Sequence, residues 1–215
     1  PRAISLMSDV FLEHGRKPAV EHLAERWPLL GAALERAGFA CAVPLHAMAH
    51  EGGSVDRLSP CPWAPATQTL DGSTPLPVLR TYLDALYSAF GEHRPIAVGP
   101  DEATGLQRAL GIGRTQIAIA TDEGGAVIAC ANLVGIGLVG GSAGPAAELS
   151  GVWTAPEMRG RGLAHAVAGR LLRRFFTTGG SFVWLAADDR LAAGLYAGLG
   201  FRPIGRLLRY SHDPA

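Results

Sequence analysis

The segment 156–164 has the residue types and the order that suit a phosphate-binding turn. It reads Pro-Glu-Met-Arg-Gly-Arg-Gly-Leu-Ala, and a long stretch with helical apolar spacing follows it. A helix start leaves main-chain N–H groups without partners, and the aligned peptide dipoles add partial positive charge there. Gly160 and Gly162 let the main chain approach a ligand closely, while Arg159 and Arg161 can donate charge-assisted hydrogen bonds. We therefore predict that a diphosphate binds at Arg159, Gly160, Arg161, Gly162, Leu163 and Ala164.

Two other interpretations of this segment remain open at the level of the sequence. The first is a glycine-containing turn between a strand and a helix, with two arginines that only contact water. The second is a site for a different phosphorylated ligand, because a helix start binds many anions.

The elements that position this segment are predicted from the spacing of apolar residues. Two helices come first, the second running from Asp101 to Gly111, and a hairpin signal at 122–125 then joins two β-rich runs. The helix after the segment has the most regular apolar face in the chain. From residue 78, the later elements are predicted as strands at 115–120, 126–136 and 148–154, a helix at 161–176, a strand at 182–186, a helix at 190–199 and a strand at 201–211.

The first 77 residues have a weaker pattern. We predict a helix around Val20 to Ala37 and a strand from Phe39 to Met48. Residues 51–77 are rich in Gly, Ser, Thr and Pro and are predicted to be a linker or an extended surface loop, with a substrate lid as the alternative. The predicted division of the chain is therefore 1–50, 51–77 and 78–215.

Composition excludes several classes of partner. Nineteen basic residues balance nineteen acidic ones, so no global positive field attracts nucleic acid or an anionic membrane surface. The three cysteines, Cys41, Cys61 and Cys130, form no C-x-x-C pair, which favours neither a disulfide framework nor a structural metal site. No stretch of about 18 apolar residues is present. We expect a cytoplasmic protein with no membrane, metal or nucleic-acid partner.

The arrangement resembles the GNAT superfamily of acyl-CoA N-acyltransferases. The family's pyrophosphate loop reads Arg or Gln, two residues, Gly, one residue, then Gly or Ala, and Arg159-x-x-Gly162-x-Ala164 matches it. The segment 152–156 looks like the family's fourth strand, and 195–201 looks like its closing helix motif. The resemblance covers about residues 78 to 212. It implies an α/β (α+β) fold with a mixed, largely antiparallel, splayed sheet flanked by helices.

The resemblance also implies a reaction and its site. An acetyl group would pass from acetyl-CoA to an amine by direct attack in a ternary complex. The pantetheine arm would pair with the main chain of Val152, Trp153 and Thr154, in the gap between two strands. Tyr196 occupies the position whose hydroxyl protonates or hydrogen-bonds the departing thiolate. A packed aromatic side chain is the other interpretation of Tyr196.

Two further positions carry less certain roles. Glu148 lies where related enzymes often have a carboxylate or a water-positioning group, so it is the predicted base, with a solvated strand residue as the alternative. Asp189 lies where many members have an asparagine that holds the pantetheine arm. An aspartate can accept a hydrogen bond or cap a helix, but its carboxylate cannot donate one.

The remaining predictions concern the amino-terminal part and the partners. Leu30–His50 can be aligned with Ala192–His212, which predicts a degenerate partial GNAT-like α/β repeat in residues 1–50. The acceptor is predicted to be an amine-bearing small molecule, and the resemblance allows a homodimer. The alternative function is a catalytically inactive CoA-binding sensor or interaction subunit with the same fold.

Overall fold

A computed structural model describes residues 2–53, 67–90, 99–138, 144–188 and 190–212. The chain divides into two compact units. Unit 1 contains Pro1–Ala49, Ala186–Ala197 and Phe201–Ala215, and unit 2 contains His50–Leu185 and Gly198–Gly200.

Unit 2 contains five strands that lie side by side in the order in which they occur in the chain. In chain order they are β4 (Thr67–Leu70), β5 (Gln116–Thr121), β6 (Val127–Leu138), β7 (Pro145–Thr154) and β8 (Phe182–Ala187). Strands β4 to β7 pair antiparallel with their neighbours in sequence, whereas β7 and β8 pair parallel. The hairpin between β5 and β6 is closed by a hydrogen bond from the Ala126 N–H to Asp122 Oδ1, at 2.8 Å.

Helices α3 (Leu76–Phe90) and α4 (Pro100–Gly111) cover one face of these strands. Their apolar side chains pack on strand residues that alternate along the sheet. The buried members of this core cluster are Leu70, Leu79, Tyr82, Leu83, Ala103, Leu110, Ile117, Ile119, Val127 and Cys130. The intervening alanines of β5 and β6 are also fully buried. The third helix of this unit, α5 (Leu163–Thr177), packs on β4 to β7.

Strand β7 separates from β8 well before it ends. The parallel pairing joins Ala146–Glu148 to Phe182–Trp184, and among the described residues it stops there. Strand β7 continues to Thr154, still paired with β6 on its other side. Its last six residues, 149–154, therefore have no β8 partner.

Unit 1 contains the remaining elements. They are α1 (Arg2–Glu13), β1 (Ala19–Leu23), α2 (Leu30–Arg36), β2 (Ala40–Cys41), β3 (Leu45–His50), α6 (Arg190–Gly198) and β9 (Arg202–Ser211). Strand β9 pairs antiparallel with β1, β2 and β3. The small core of unit 1 consists of Leu34, Phe39 and Tyr210. Residues of α1 and β1 pack against it.

The predicted fold class is confirmed, and so is the order of elements from residue 78. The predicted helix around Val20 to Ala37 is wrong in its first part, because Ala19–Leu23 forms β1. Pairing with β9 supplies those main-chain groups with partners that the local sequence does not reveal. Within the predicted linker 51–77, residues 67–70 form β4 on the edge beside β5.

Unit 1 combines the first 49 residues with the carboxy-terminal strand, and the division into 1–50, 51–77 and 78–215 stays a prediction. Leu30–His50 and Ala192–His212 both run helix, glycine with positive φ, then strand, with φ +85° at Gly38 and +93° at Gly200. That the first segment is a degenerate copy of the second stays a prediction.

Candidate functional site

The end of β7 presents main chain on its free side. Val152, Trp153 and Thr154 lie beyond the last residue of β7 that pairs with β8. On that side, their main-chain groups have no strand partner among the described residues. On the other side, Trp153 pairs with Cys130 and Thr154 with Ala129. An unpaired strand edge can pair with an extended ligand. This is where the pantetheine arm was predicted to bind.

The predicted diphosphate loop links β7 to α5 through one short 3₁₀ turn at Pro156–Met158. Gly160 and Gly162 both have positive φ, +75° and +77°, which favours glycine at each position. At Gly160, an added Cβ would meet no described atom within 4 Å. The turn is therefore exposed and leaves room beside its main chain.

Helix α5 starts at this turn with its first N–H groups unpaired within the helix. Its first intrahelical bond runs from the Ala166 N–H to the Gly162 carbonyl, at 3.0 Å. The N–H groups of Leu163, Ala164 and His165 precede it and have no carbonyl to bond inside the helix. Within the described part of the chain, no side chain caps this start. These groups can bind an anion, as the sequence predicts.

The members of the loop contribute in different ways. Leu163 is 2% exposed and its side chain belongs to the core, so only its main chain can face a ligand. Arg159 and Arg161 are exposed, and the Arg159 Nε donates a hydrogen bond to the Thr154 carbonyl at 3.3 Å. That bond ties the loop to the end of β7.

A buried oxygen lies at the same point. Thr154 Oγ1 is buried and has no hydrogen-bond partner among the described residues. An unpaired buried hydroxyl costs free energy, about 1–3 kcal/mol, unless a ligand or water satisfies it. Its position beside the free strand edge is the kind of site where a bound molecule supplies the missing partner.

Glu148 lies inside β7 rather than at its start. It pairs with Val134 on one side and with Trp184 on the other, and its side chain is half-buried. Because residues opposite each other in a ladder share a face, Glu148 shares the α3 face with Ser150 and Trp153. A carboxylate on that face can accept a proton, and its role as the base stays a prediction.

Tyr196 belongs to α6 in unit 1 and is half-buried. Burial, with a smaller contribution from Asp188, raises the pKa of its phenol to about 12. The hydroxyl is therefore protonated at neutral pH and can donate a hydrogen bond or a proton. Its ring contacts Phe201 edge to face, with the ring centres 6.0 Å apart. Asp189, the other predicted residue near this helix, lies outside the described residues.

Sequence reasoning missed a buried polar group on the α3 face of β6 and β7. The Tyr82 hydroxyl donates a hydrogen bond to Asn132 Oδ1 at 2.7 Å, and both side chains are buried. Asn132 in turn lies against Gly151, which has φ +56°. The signal in the sequence was an asparagine within an otherwise apolar strand, because a buried amide needs a partner.

The separated parallel pair and the glycine turn before α5 are the two backbone features that the resemblance to the GNAT superfamily predicts. The family model described as "Acetyltransferase (GNAT) family" matches residues 82–201, which include every predicted site residue. The chain therefore belongs to the GNAT acetyltransferase family. No curated protein matches the sequence.

Solved structures with the same fold include several N-acetyltransferases. A GCN5-related N-acetyltransferase from Kribbella flavida is 18% identical, with a TM-score of 0.69, over 100% of this chain and 76% of that one. A tandem GNAT protein from the clavulanic acid biosynthesis pathway is 18% identical, with a TM-score of 0.59, over 94% and 66%. The glucosamine-6-phosphate N-acetyltransferase from Arabidopsis thaliana is 16% identical, with a TM-score of 0.52, over 63% and 90%. At these identities the likeness shows the fold alone.

The described residues lack two further features. They contain no helix that is long and apolar enough to cross a membrane. They also contain no group of three or more His, Cys, Asp or Glu side chains placed to hold a metal ion.

Proposed function

We propose that this protein transfers an acetyl group from acetyl-CoA to an amine acceptor, by direct attack in a ternary complex. The observation that carries the proposal is the start of α5. There, three main-chain N–H groups point out of an uncapped helix, directly after a strand edge that is free to pair. Family membership supports the reaction class, and the site supports the choice of acyl donor.

The residues present fit CoA in three respects. The helix start and the two glycines can hold a diphosphate, with Arg159 and Arg161 close enough in sequence to add positive charge. The free edge of Val152 to Thr154 can pair with the amide-containing pantetheine arm. The buried Thr154 Oγ1 has no hydrogen-bond partner among the residues that the structure describes, and such an arm could supply one. When bound, acetyl-CoA supplies an acetyl thioester.

The chain's own residues would move the protons. The attacking amine must lose a proton, and Glu148 is the proposed acceptor, directly or through water. As the C–N bond forms and the C–S bond breaks, the departing sulfur needs a hydrogen-bond donor. Tyr196 is proposed for that role, because its phenol stays protonated at neutral pH. With a pKa of about 12 for this phenol and a reference value of about 8.5 for a thiol, full proton transfer to the sulfur would cost roughly 5 kcal/mol, so a hydrogen bond to the sulfur is the proposed role.

For the acceptor, the cellular location and the assembly, we propose only a class. A small amine-bearing molecule is the proposed acceptor class, since the balanced charge of the chain favours neither a basic nor an acidic polymer. The proposed location is the cytoplasm, and the proposed assembly is a monomer or a homodimer. Neither nucleic acid nor a membrane surface is proposed as a partner.

Two measurements test the proposal. Acetyl-CoA at a concentration well above its dissociation constant should raise the melting temperature, because a ligand that binds only the folded state stabilises it. Incubation with acetyl-CoA and a panel of small amines should then release free thiol, which a thiol-reactive dye detects. Aminoglycosides, amino sugars and amino acids form a suitable first panel.

The two results separate the alternatives. Stabilisation with thiol release supports the transferase, whereas stabilisation without release across a broad panel favours a CoA-binding sensor or interaction subunit. No stabilisation by acetyl-CoA, together with stabilisation by another phosphorylated compound, would show that the helix start binds a different ligand.

A further inference from the structure

Strand β7 contains one extra residue relative to β6 just before the proposed pantetheine-binding edge. Cys130 pairs with Trp153 and Asn132 pairs with Ser150, so two residues of β7, Gly151 and Val152, lie opposite the single residue Ala131. Gly151 has φ +56°, as expected for a bulge whose first residue is a left-handed glycine. A bulge of this type bends its strand and changes the direction of the residues that follow.

Gly151 is tightly enclosed by side chains. A Cβ placed on Gly151 would lie 2.5 Å from Asn132 Nδ2 and 3.2 Å from a methyl group of Leu86. The Cys130 thiol donates a hydrogen bond to the Gly151 carbonyl at 3.4 Å. Burial raises the pKa of that thiol to about 12, so it remains a donor at neutral pH. On the β6 side, therefore, one thiol donates to the bulge and one amide lies against it.

The amide that lies against Gly151 is itself fixed. Asn132 is 6% exposed and Tyr82 is 2% exposed, and the Tyr82 hydroxyl donates to Asn132 Oδ1 at 2.7 Å. Burial raises the pKa of Tyr82, so its hydroxyl keeps its proton. In this arrangement Oδ1 faces the Tyr82 hydroxyl and Nδ2 lies against the glycine. Tyr82 belongs to α3, which lies far from β7 in sequence.

We propose that the Tyr82–Asn132 pair is a positioning device for the cofactor site. By seating the bulge at Gly151, it sets the direction in which the main chain of Val152 to Thr154 faces the pantetheine arm. This inference rests on the proposed function. Tyr82 and Asn132 act through Gly151 and are positioning residues rather than catalytic ones.

The test compares two changes in the same apolar core. Tyr82→Phe removes only the hydroxyl that orients Asn132, and Ile119→Val removes one methylene from a fully buried β5 residue in the same cluster. Both variants should lower the melting temperature by a few degrees. The dissociation constant of CoA, measured by calorimetry on the folded proteins, should rise about five- to tenfold for Tyr82→Phe and stay within twofold for Ile119→Val. A twofold or smaller change for Tyr82→Phe would overturn the inference.

A second pair of variants decides the matter if Tyr82→Phe does not fold. Asn132→Ala removes the amide that lies against Gly151 and should raise the dissociation constant of CoA about five- to tenfold. Gly151→Ala places a methyl group against the same amide and should also weaken CoA binding, and because both changes disturb one bulge, their combined effect should be smaller than the product of the two. If Asn132→Ala binds CoA within twofold of wild type, the amide does not position the bulge.

Failure of the proposed function would look different. If wild-type protein binds no CoA, the transferase proposal fails, and the positioning role is then read without ligand from amide hydrogen exchange in residues 149–155. Faster exchange in Tyr82→Phe than in Ile119→Val supports the device, and equal exchange in the two variants overturns it.

Discussion

Two neighbouring regions of unit 2 both depend on glycines with positive φ, and they use them in opposite ways. At the bulge, Gly151 is enclosed, and an added Cβ would meet Asn132 at 2.5 Å. At the turn before α5, Gly160 is exposed, and an added Cβ would meet no described atom within 4 Å. The backbone conformation is similar, but the protein fills the space at one position and leaves it open at the other.

The difference indicates what each region is for. A crowded left-handed glycine is where the protein contacts itself, so its replacement should act through folding and shape. An open one beside unpaired helix N–H groups is where a ligand can approach the main chain. CoA should therefore contact the turn directly, the bulge should act on CoA binding only through the shape of β7, and the chemistry should depend on side chains outside both. The predictions test this separation.

The largest expected effect is on turnover and comes from a side chain in neither region. Tyr196→Phe removes the proposed donor to the departing sulfur, and kcat should fall roughly a hundredfold, since acid–base groups commonly contribute about 10²–10⁴-fold. The dissociation constant of CoA should stay within twofold. Steady-state kinetics with the acceptor found in the amine panel, and calorimetry with CoA, provide both values.

Wild-type kcat in Tyr196→Phe would assign the residue to packing against Phe201 instead. A loss confined to CoA affinity would place Tyr196 among the binding residues, and the separation of binding from chemistry would be wrong.

The next effect concerns the turn. Gly162→Val puts a β-branched residue at φ +77°, where left-handed backbone costs roughly 1–2 kcal/mol even for residues with a simpler side chain. The helix start should shift and CoA affinity should fall about thirtyfold, since each 1.4 kcal/mol corresponds to about tenfold. Calorimetric titration with CoA measures the change.

Gly113→Val is the matched control. It places the same β-branched residue at a similar backbone angle, φ +72°, but outside the turn, where an added Cβ would meet no described atom within 4 Å. Its CoA affinity should stay within twofold of wild type. Unchanged affinity in Gly162→Val would remove the turn from the site.

The third prediction compares the bulge at Gly151 with a second bulge in the same strand pair. Gly135 in β6 has φ +64° and also precedes an extra residue, but a Cβ there would meet nothing within 4 Å among the described atoms. Gly135→Ala should cost about 1 kcal/mol, the strain alone. Gly151→Ala should cost about 1.5 kcal/mol more, because it also overpacks the Asn132 amide. Urea unfolding of the two variants gives the difference, and equal losses would mean that the crowding at Gly151 relaxes freely.

The exposed turn was predictable from the sequence, and the bulge was not. Arg159, Gly162 and Ala164 lie within six consecutive residues, so their spacing alone predicts a helix start that can bind an anion. The bulge depends on Tyr82, Asn132 and Gly151, which come from three elements and meet only through packing. No local pattern connects a tyrosine on α3 with a glycine in β7.

The same reason explains where the fold prediction succeeded. The elements from residue 78 were predicted because their apolar spacing is regular and their boundaries carry glycines. Strands β1 and β4 were missed because each is short and lies on an edge. Hydrogen bonds to β9 and β5 make these segments strands, and the segments' own sequences do not show that pairing.

The smallest expected effect is on the pH dependence of stability. It comes from the phenol of Tyr196, whereas the main-chain contacts of the turn and the bulge do not titrate. Burial raises the pKa of Tyr196 to about 12, against about 10 in an unfolded chain. Above pH 10 the unfolded chain therefore loses this proton first, so the folded state binds more protons and its stability falls as the pH rises towards 12. At pH 11 this one group should lower the free energy of unfolding by about 1 kcal/mol relative to pH 8. Urea unfolding of wild-type protein and Tyr196→Phe at both pH values isolates the effect, because both proteins contain Tyr82 and Tyr210. If both proteins lose the same free energy of unfolding between pH 8 and pH 11, Tyr196 is open to water. Its phenol would then titrate like that of any surface tyrosine.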